Sequence, residues 1–144
     1  MKTKLFIISI ITFLSSINLS AQDVVTYSNI DKTDSECKKE YITYAKDSSA
    51  PIKKMVYIEN KDGQLVSKEV YKWENGAWEG INKMEYKYNV DSKPSIFIYT
   101  KWNKKNQTWS DKSEFLSYRY NSNGELLATI QTTISNINDL TIAE

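Results

Sequence analysis

The side chains with the strongest claim to a function are four tryptophans, Trp73, Trp78, Trp102 and Trp109, set as two pairs that each flank a short polar segment. Tryptophan joins a wide apolar face to a polar N–H and is enriched at binding hot spots. Repeated in register, such rings form a stacking platform for sugar rings or for an apolar partner. The same spacing suits another role, because Trp pairs across hairpin turns brace a thin sheet that has little core. The turns inside the two pairs are of similar length, which favours bracing. Tyr57, Tyr86 and Tyr118 recur just ahead of turn residues and read as a structural ladder on the packed face of a sheet.

Other chemistries find few residues to use. The absence of His closes Ser-His-Asp and Cys-His designs and any imidazole metal site. Cys37 stands alone, so it makes neither an intramolecular disulfide nor a thiolate zinc site, and reads as an incidental thiol. A carboxylate-only hydrolase needs two acids about 5 to 9.5 Å apart in a cleft. Glu59, Glu69, Glu85 and Glu114 are the candidates, but their lysine-rich neighbourhood (Lys54, Lys68, Lys83, Lys112) reads as cross-strand charge pairing. Asn60, Asp62, Asn89, Asp91, Asn121 and Asn123 offer oxygens at turns, yet no turn carries two acids, as calcium loops usually do. The expectation is therefore no catalytic residue, no metal and no cofactor.

The elements that would position these residues are strands. Val, Ile, Thr, Tyr and Trp are plentiful and Ala is scarce, a balance that suits a pleated surface. Lys53–Asn60 and Gln64–Trp73 flank Asp62-Gly63, the residue pair of a type I′ hairpin turn. Asn75-Gly76 marks the next turn, and Met84, Tyr86 and Tyr88 alternate with Lys83, Glu85 and Lys87, which gives one buried and one wet face. The pattern then repeats. Tyr57–Gly63 aligns with Tyr86–Ser92 and Tyr118–Gly124, and Tyr71-Lys72-Trp73 with Thr100-Lys101-Trp102. Tyr57 to Tyr86 and Trp73 to Trp102 both span 29 residues, Trp78 to Trp109 spans 31 and Tyr86 to Tyr118 spans 32. A shared period of this size indicates stacked supersecondary units, here hairpins. The third copy lacks a second Trp pair.

The ends differ from the middle. Lys2 and Lys4 precede the apolar run Leu5–Leu14, and a polar stretch leads to Ala21, the layout of a secretory signal peptide cut before Gln22. The run is about half the roughly 20 residues of a spanning helix, so no membrane span is expected after cleavage. Without the leader, 17 basic face 18 acidic side chains, which gives no footprint for nucleic acid or anionic membrane. The divisions expected are a signal peptide at 1–21, an irregular segment with an edge strand at 22–52, a hairpin-repeat domain at 53–134 and a tail at 135–144. Six strands fall between Lys53 and Ile134, with a seventh open to the N-terminal segment.

Tyr118-x-Tyr-Asn-x-x-Gly-x-Leu126 resembles the tyrosine-aspartate hairpin repeats of large bacterial surface and toxin-shell proteins, with Asn121 and Asn89 where those carry Asp. The whole arrangement from Lys53 to Ile134 is similar to short secreted Gram-negative proteins whose domain has no assigned function. That resemblance implies an antiparallel repeat sheet and brings no catalytic residues. The fold expected is all-β, an antiparallel meander of hairpins forming one twisted extended sheet, against a small barrel or sandwich. The function expected is an exported, periplasmic or extracellular, non-catalytic binding or adhesion module for a glycan, cell-envelope polymer or protein. Its rivals are an assembly protein that pairs through edge strands and a secreted protein-binding inhibitor.

Overall fold

The computed structural model describes residues 23–135. The expected signal peptide and all but the first residue of the expected tail lie outside them. Eight strands follow in chain order: β1 (Val24–Lys32), β2 (Glu36–Ala45), β3 (Pro51–Asn60), β4 (Leu65–Glu74), β5 (Ala77–Tyr88), β6 (Pro94–Asn103), β7 (Thr108–Tyr120) and β8 (Leu126–Ile134). Each is antiparallel to the next, and the spatial order is the sequence order. This is an all-β meander in one open sheet. The barrel and sandwich do not form, because β1 and β8 stay at opposite edges of a single sheet.

The N-terminal segment corrects the expected division. Residues 23–52 hold two full strands, β1 and β2, in place of an irregular stretch with one edge strand. Mixed charges hid the pattern: Asp31 lies opposite Lys38 in the register, and Lys39 donates to Glu59 on β3 at 2.6 Å. The turn is made by Thr33, whose Oγ1 accepts from the Glu36 N–H at 3.1 Å. Pro51 opens β3. A first-residue proline forfeits no ladder bond that the strand needs.

Three turns repeat one construction at the same end of the sheet. Asn60 Oδ1 accepts from the Asp62 and Gln64 N–H groups, Asn89 Oδ1 from Asp91 and Lys93, and Asn121 Oδ1 from Asn123 and Glu125, all at 2.9–3.0 Å. Left-handed backbone falls only on the residue three after each Asn: Gly63 (φ 77°), Ser92 (φ 60°) and Gly124 (φ 75°). Asp62-Gly63 is thus not a type I′ turn, which would need positive φ at both residues. Asn75-Gly76 meets that condition, with φ 53° and 79°. The asparagines serve as acceptors for the turn's N–H groups and do not themselves adopt the left-handed conformation.

These turns are also tied sideways. Tyr88 Oη donates to the Leu65 carbonyl at 2.8 Å, and Tyr120 Oη to the Pro94 carbonyl at 2.7 Å, the same bond in successive units. Gln64 Nε2 donates to the Ser92 carbonyl at 3.4 Å and Lys93 Nζ to the Gly124 carbonyl at 2.6 Å. The first copy carries Glu59 where the others carry their second tyrosine, and Glu59 pairs with Lys39 instead.

Asn89→Ala removes two turn bonds and should lower stability by about 1–2 kcal/mol, while Asn89→Asp keeps the acceptor and should cost less. Ser92→Gly relieves a left-handed residue and should raise stability by about 1 kcal/mol. Urea midpoints of the three variants check both signs.

Candidate functional site

Direct ladder partners share a face, so the register sorts the side chains. Tyr57, Lys68, Met84, Tyr99 and Glu114 form one row across β3 to β7. By alternation Tyr86 and Tyr118 lie on that side, the Tyr face. Glu40, Val56, Glu69, Lys83, Thr100 and Ser113 form a row on the other side. Tyr71, Trp73, Trp78, Trp102 and Trp109 continue it, which makes this the Trp face.

The four most buried side chains, Val56, Ile98, Thr100 and Ser113, all lie on the Trp face. The three ladder tyrosines share a face as expected, but it is the less buried one. Each is half-buried, and Tyr57 and Tyr86 pack with a neighbour rather than with the next ladder member. Tyr57 meets Tyr41 edge-on at 5.7 Å, and Tyr86 meets Phe97 at 5.3 Å. Lys68 separates the Tyr57 and Tyr86 strands and places its Nζ 5.4 Å from the Tyr57 ring. Burial raises the hydroxyl pKa of Tyr57, Tyr86, Tyr88 and Tyr118 above 10.0.

All four tryptophans come together at the end opposite the asparagine turns. Trp73 pairs directly with Trp78, and Trp102 with Trp109. Both pairs are T-shaped with ring centres 5.0 Å apart. Tyr71 links the pairs: its ring lies 5.7 Å from that of Trp109, and it shares the Lys54 ammonium with the Trp78 ring. Gly80, opposite Tyr71 in the ladder, makes the junction close. A Cβ there would stand 2.7 Å from Trp102 Cδ2 and 2.9 Å from Trp109 Cη2. The indoles therefore lie on bare backbone, and the sheet folds towards them: β5 and β7 come within 8 Å across β6. Two flat inter-strand spacings would be about 9.6 Å.

Two residues of this cluster were not singled out from the sequence. Lys54 holds its Nζ 4.6 Å from the Tyr71 ring centre and 4.9 Å from that of Trp78. Tyr71 donates its hydroxyl to Glu69. Burial, then the bond to Glu69 and the charges of Glu69 and Glu40, push the Tyr71 pKa strongly upward. The signal available was Tyr71's place beside Trp73; Lys54 needed the register.

The four candidate carboxylates divide between the faces. Glu59 pairs with Lys39 and Glu114 with Lys101 (3.9 Å) on the Tyr face. On the Trp face Glu85 pairs with Lys83 at 3.1 Å, and Glu69 takes the Tyr71 hydroxyl. The partners expected for them were different lysines, apart from Lys83. Cys37 is a half-buried free thiol on β2.

The model of a family of unknown function, DUF3836, matches residues 40–139, which takes in all three asparagine turns and both Trp pairs. This chain belongs to the DUF3836 family. No curated protein and no solved structure matches it. The DUF3836 match begins inside β2, so β1 lies outside it.

Gly80→Ala would force the indoles of this DUF3836 chain off the sheet and should cost about 1–3 kcal/mol, read from the urea midpoint. A pH series tests the tyrosines. A folded-state pKa raised above the unfolded value gives stability that is complete below about pH 10 and is lost as pH climbs towards the folded value. Five tyrosines act in this direction, joined by Lys39 and Lys72 beside Glu59 and Glu74. Lys68, lowered by its burial and by Lys53, acts in the opposite one. Unfolding midpoints should stay level near neutrality and fall above about pH 10, with Tyr71→Phe showing a smaller fall.

Proposed function

We propose that this DUF3836 chain is an exported, non-catalytic binding module whose Trp face takes a glycan or cell-envelope polymer. The observation that carries the reading is the continuous cluster of Tyr71, Trp73, Trp78, Trp102 and Trp109 on one face of a sheet that has no second layer among the described residues. T-shaped pairs leave ring faces and edges at the surface, and the indoles are half-buried rather than enclosed. Bracing and binding are therefore compatible in one cluster. Lys54 and Glu69 border the rings with a donor and an acceptor, as recognition of hydroxyl groups requires. The mixed signs favour a neutral ligand over a strongly anionic one.

Export rests on the leader-like first 21 residues. The finer likeness to tyrosine-hairpin proteins of Gram-negative bacteria rests on the phrase Tyr118–Leu126 and belongs to this same reading.

The test is an array of neutral and cell-envelope glycans probed with the chain starting at Gln22. Trp73 stands at the end of the cluster, away from Gly80, so Trp73→Ala should keep the fold while weakening binding about tenfold or more, as loss of a stacking hot spot does. Retained affinity in a folded Trp73→Ala variant, or an empty array, would count against the proposal.

A further inference from the structure

We infer that two copies of this chain join edge to edge through β8, in antiparallel register about a two-fold axis at Ile130. The inference is independent of the Trp face. It starts from the outer edge of β8, which no strand pairs among the described residues. Leu126–Ile134 (LLATIQTTI) contains no charged residue and no proline. Proteins that stay monomeric blunt such edges with lysine, proline, bulges or short strands, because a bare row of N–H and C=O groups templates another strand. On its unpaired side, nine residues of β8 carry none of the side-chain safeguards, and the one bulge lies at the Tyr120–Leu126 end. Leu126, Leu127 and Ile130 are 55%, 66% and 43% exposed.

The other edge is better guarded. β1 ends in Asp31 and Lys32, and its opposite end is flanked by the Asp23–Lys46 ion pair.

The strand is also complementary to itself. With Ile130 opposite Ile130 of the second copy, Ala128 falls opposite Thr132 on the same face, and all nine residues overlap. Apolar or threonine side chains then meet at each of these positions, and a two-fold axis keeps both Trp faces on one side of the joined sheet.

The turn chemistry favours this closed pair over a head-to-tail chain of copies. Within the sheet, Gln64 and Lys93 each donate to the next turn along. The third copy carries Glu125 at that position. It accepts from Asn121 Nδ2 at 2.7 Å and, as a carboxylate, has no hydrogen to pass onward. A further unit in the same sense would lack the bond that ties every earlier pair of turns, whereas β8 against β8 needs none.

Sedimentation of the purified protein over a range of concentrations tests this. The wild type should sediment as a dimer. I130K and I130E place like charges across the axis at an exposed position, and each should sediment as a folded monomer by circular dichroism. An equimolar mixture of the two should restore the dimer through the opposed charges. A wild type that is monomeric at every concentration, with its edge covered by residues 136–144 or left free, would overturn the inference. So would an I130K variant that stays dimeric, or mixed variants that stay apart. Trp73→Ala should leave the dimer intact, so loss of glycan binding and loss of dimerisation report on separate proposals.

Discussion

The contact on which the structure depends is that of two indoles with the bare backbone of Gly80. A single-layer sheet offers its side chains no opposing layer, so burial must come from neighbours on the same face. Val56 and Ile98 are the buried apolar side chains, and the buried Thr100 and Ser113 hydroxyls bond each other at 2.7 Å. That is a small core. Trp102 and Trp109 supply the rest by folding over β5 where it has no Cβ, which draws β5 and β7 together and brings Tyr71 and the other Trp pair into one cluster.

The two ends of the sheet then have different physics. The asparagine end is held by hydrogen bonds: acceptors inside each turn, and tyrosine, glutamine and lysine donors between turns. The tryptophan end is held by ring packing and by Lys54 over two rings. Hydrogen-bonded turns repeat with little change from unit to unit, whereas the ring end depends on one glycine and cannot be repeated freely. Both Trp pairs flank the turns that follow β4 and β6, and among the described residues no strand follows β8 to make the next such turn.

Much of the fold was legible because it rests on local rules. Asn75-Gly76, the Tyr-to-turn phrase and the period-2 alternation each act within a few residues, and together they gave the hairpins and their order. What was not legible depended on register. That Tyr57, Tyr86 and Tyr118 lie on the face away from the buried side chains cannot be read from alternation alone, since alternation separates faces without saying which one curls inward. Gly80 sits inside a strand where glycine usually weakens pairing, and its purpose appears only when Trp102 is placed above it. β1 and β2 were obscured by their mixed charges, of which Lys39 pairs with Glu59 on β3 while the β1 side chains stay exposed. Asp62-Gly63 carried the residues of one turn type while Asn60 imposed another.

The central claim is that the tryptophan cluster braces the sheet and binds at once. Trp102 Nε1 is covered and has no hydrogen-bond partner, so it belongs to the bracing side of that division. Nuclear magnetic resonance of the four indole N–H groups, during titration with the strongest glycan of the array, tests this most directly. The account predicts that the signals of Trp73, Trp78 and Trp109 shift on binding while that of Trp102 stays nearly unmoved. Shifts confined to residues of the Tyr face, with all four indoles unaffected, would contradict it.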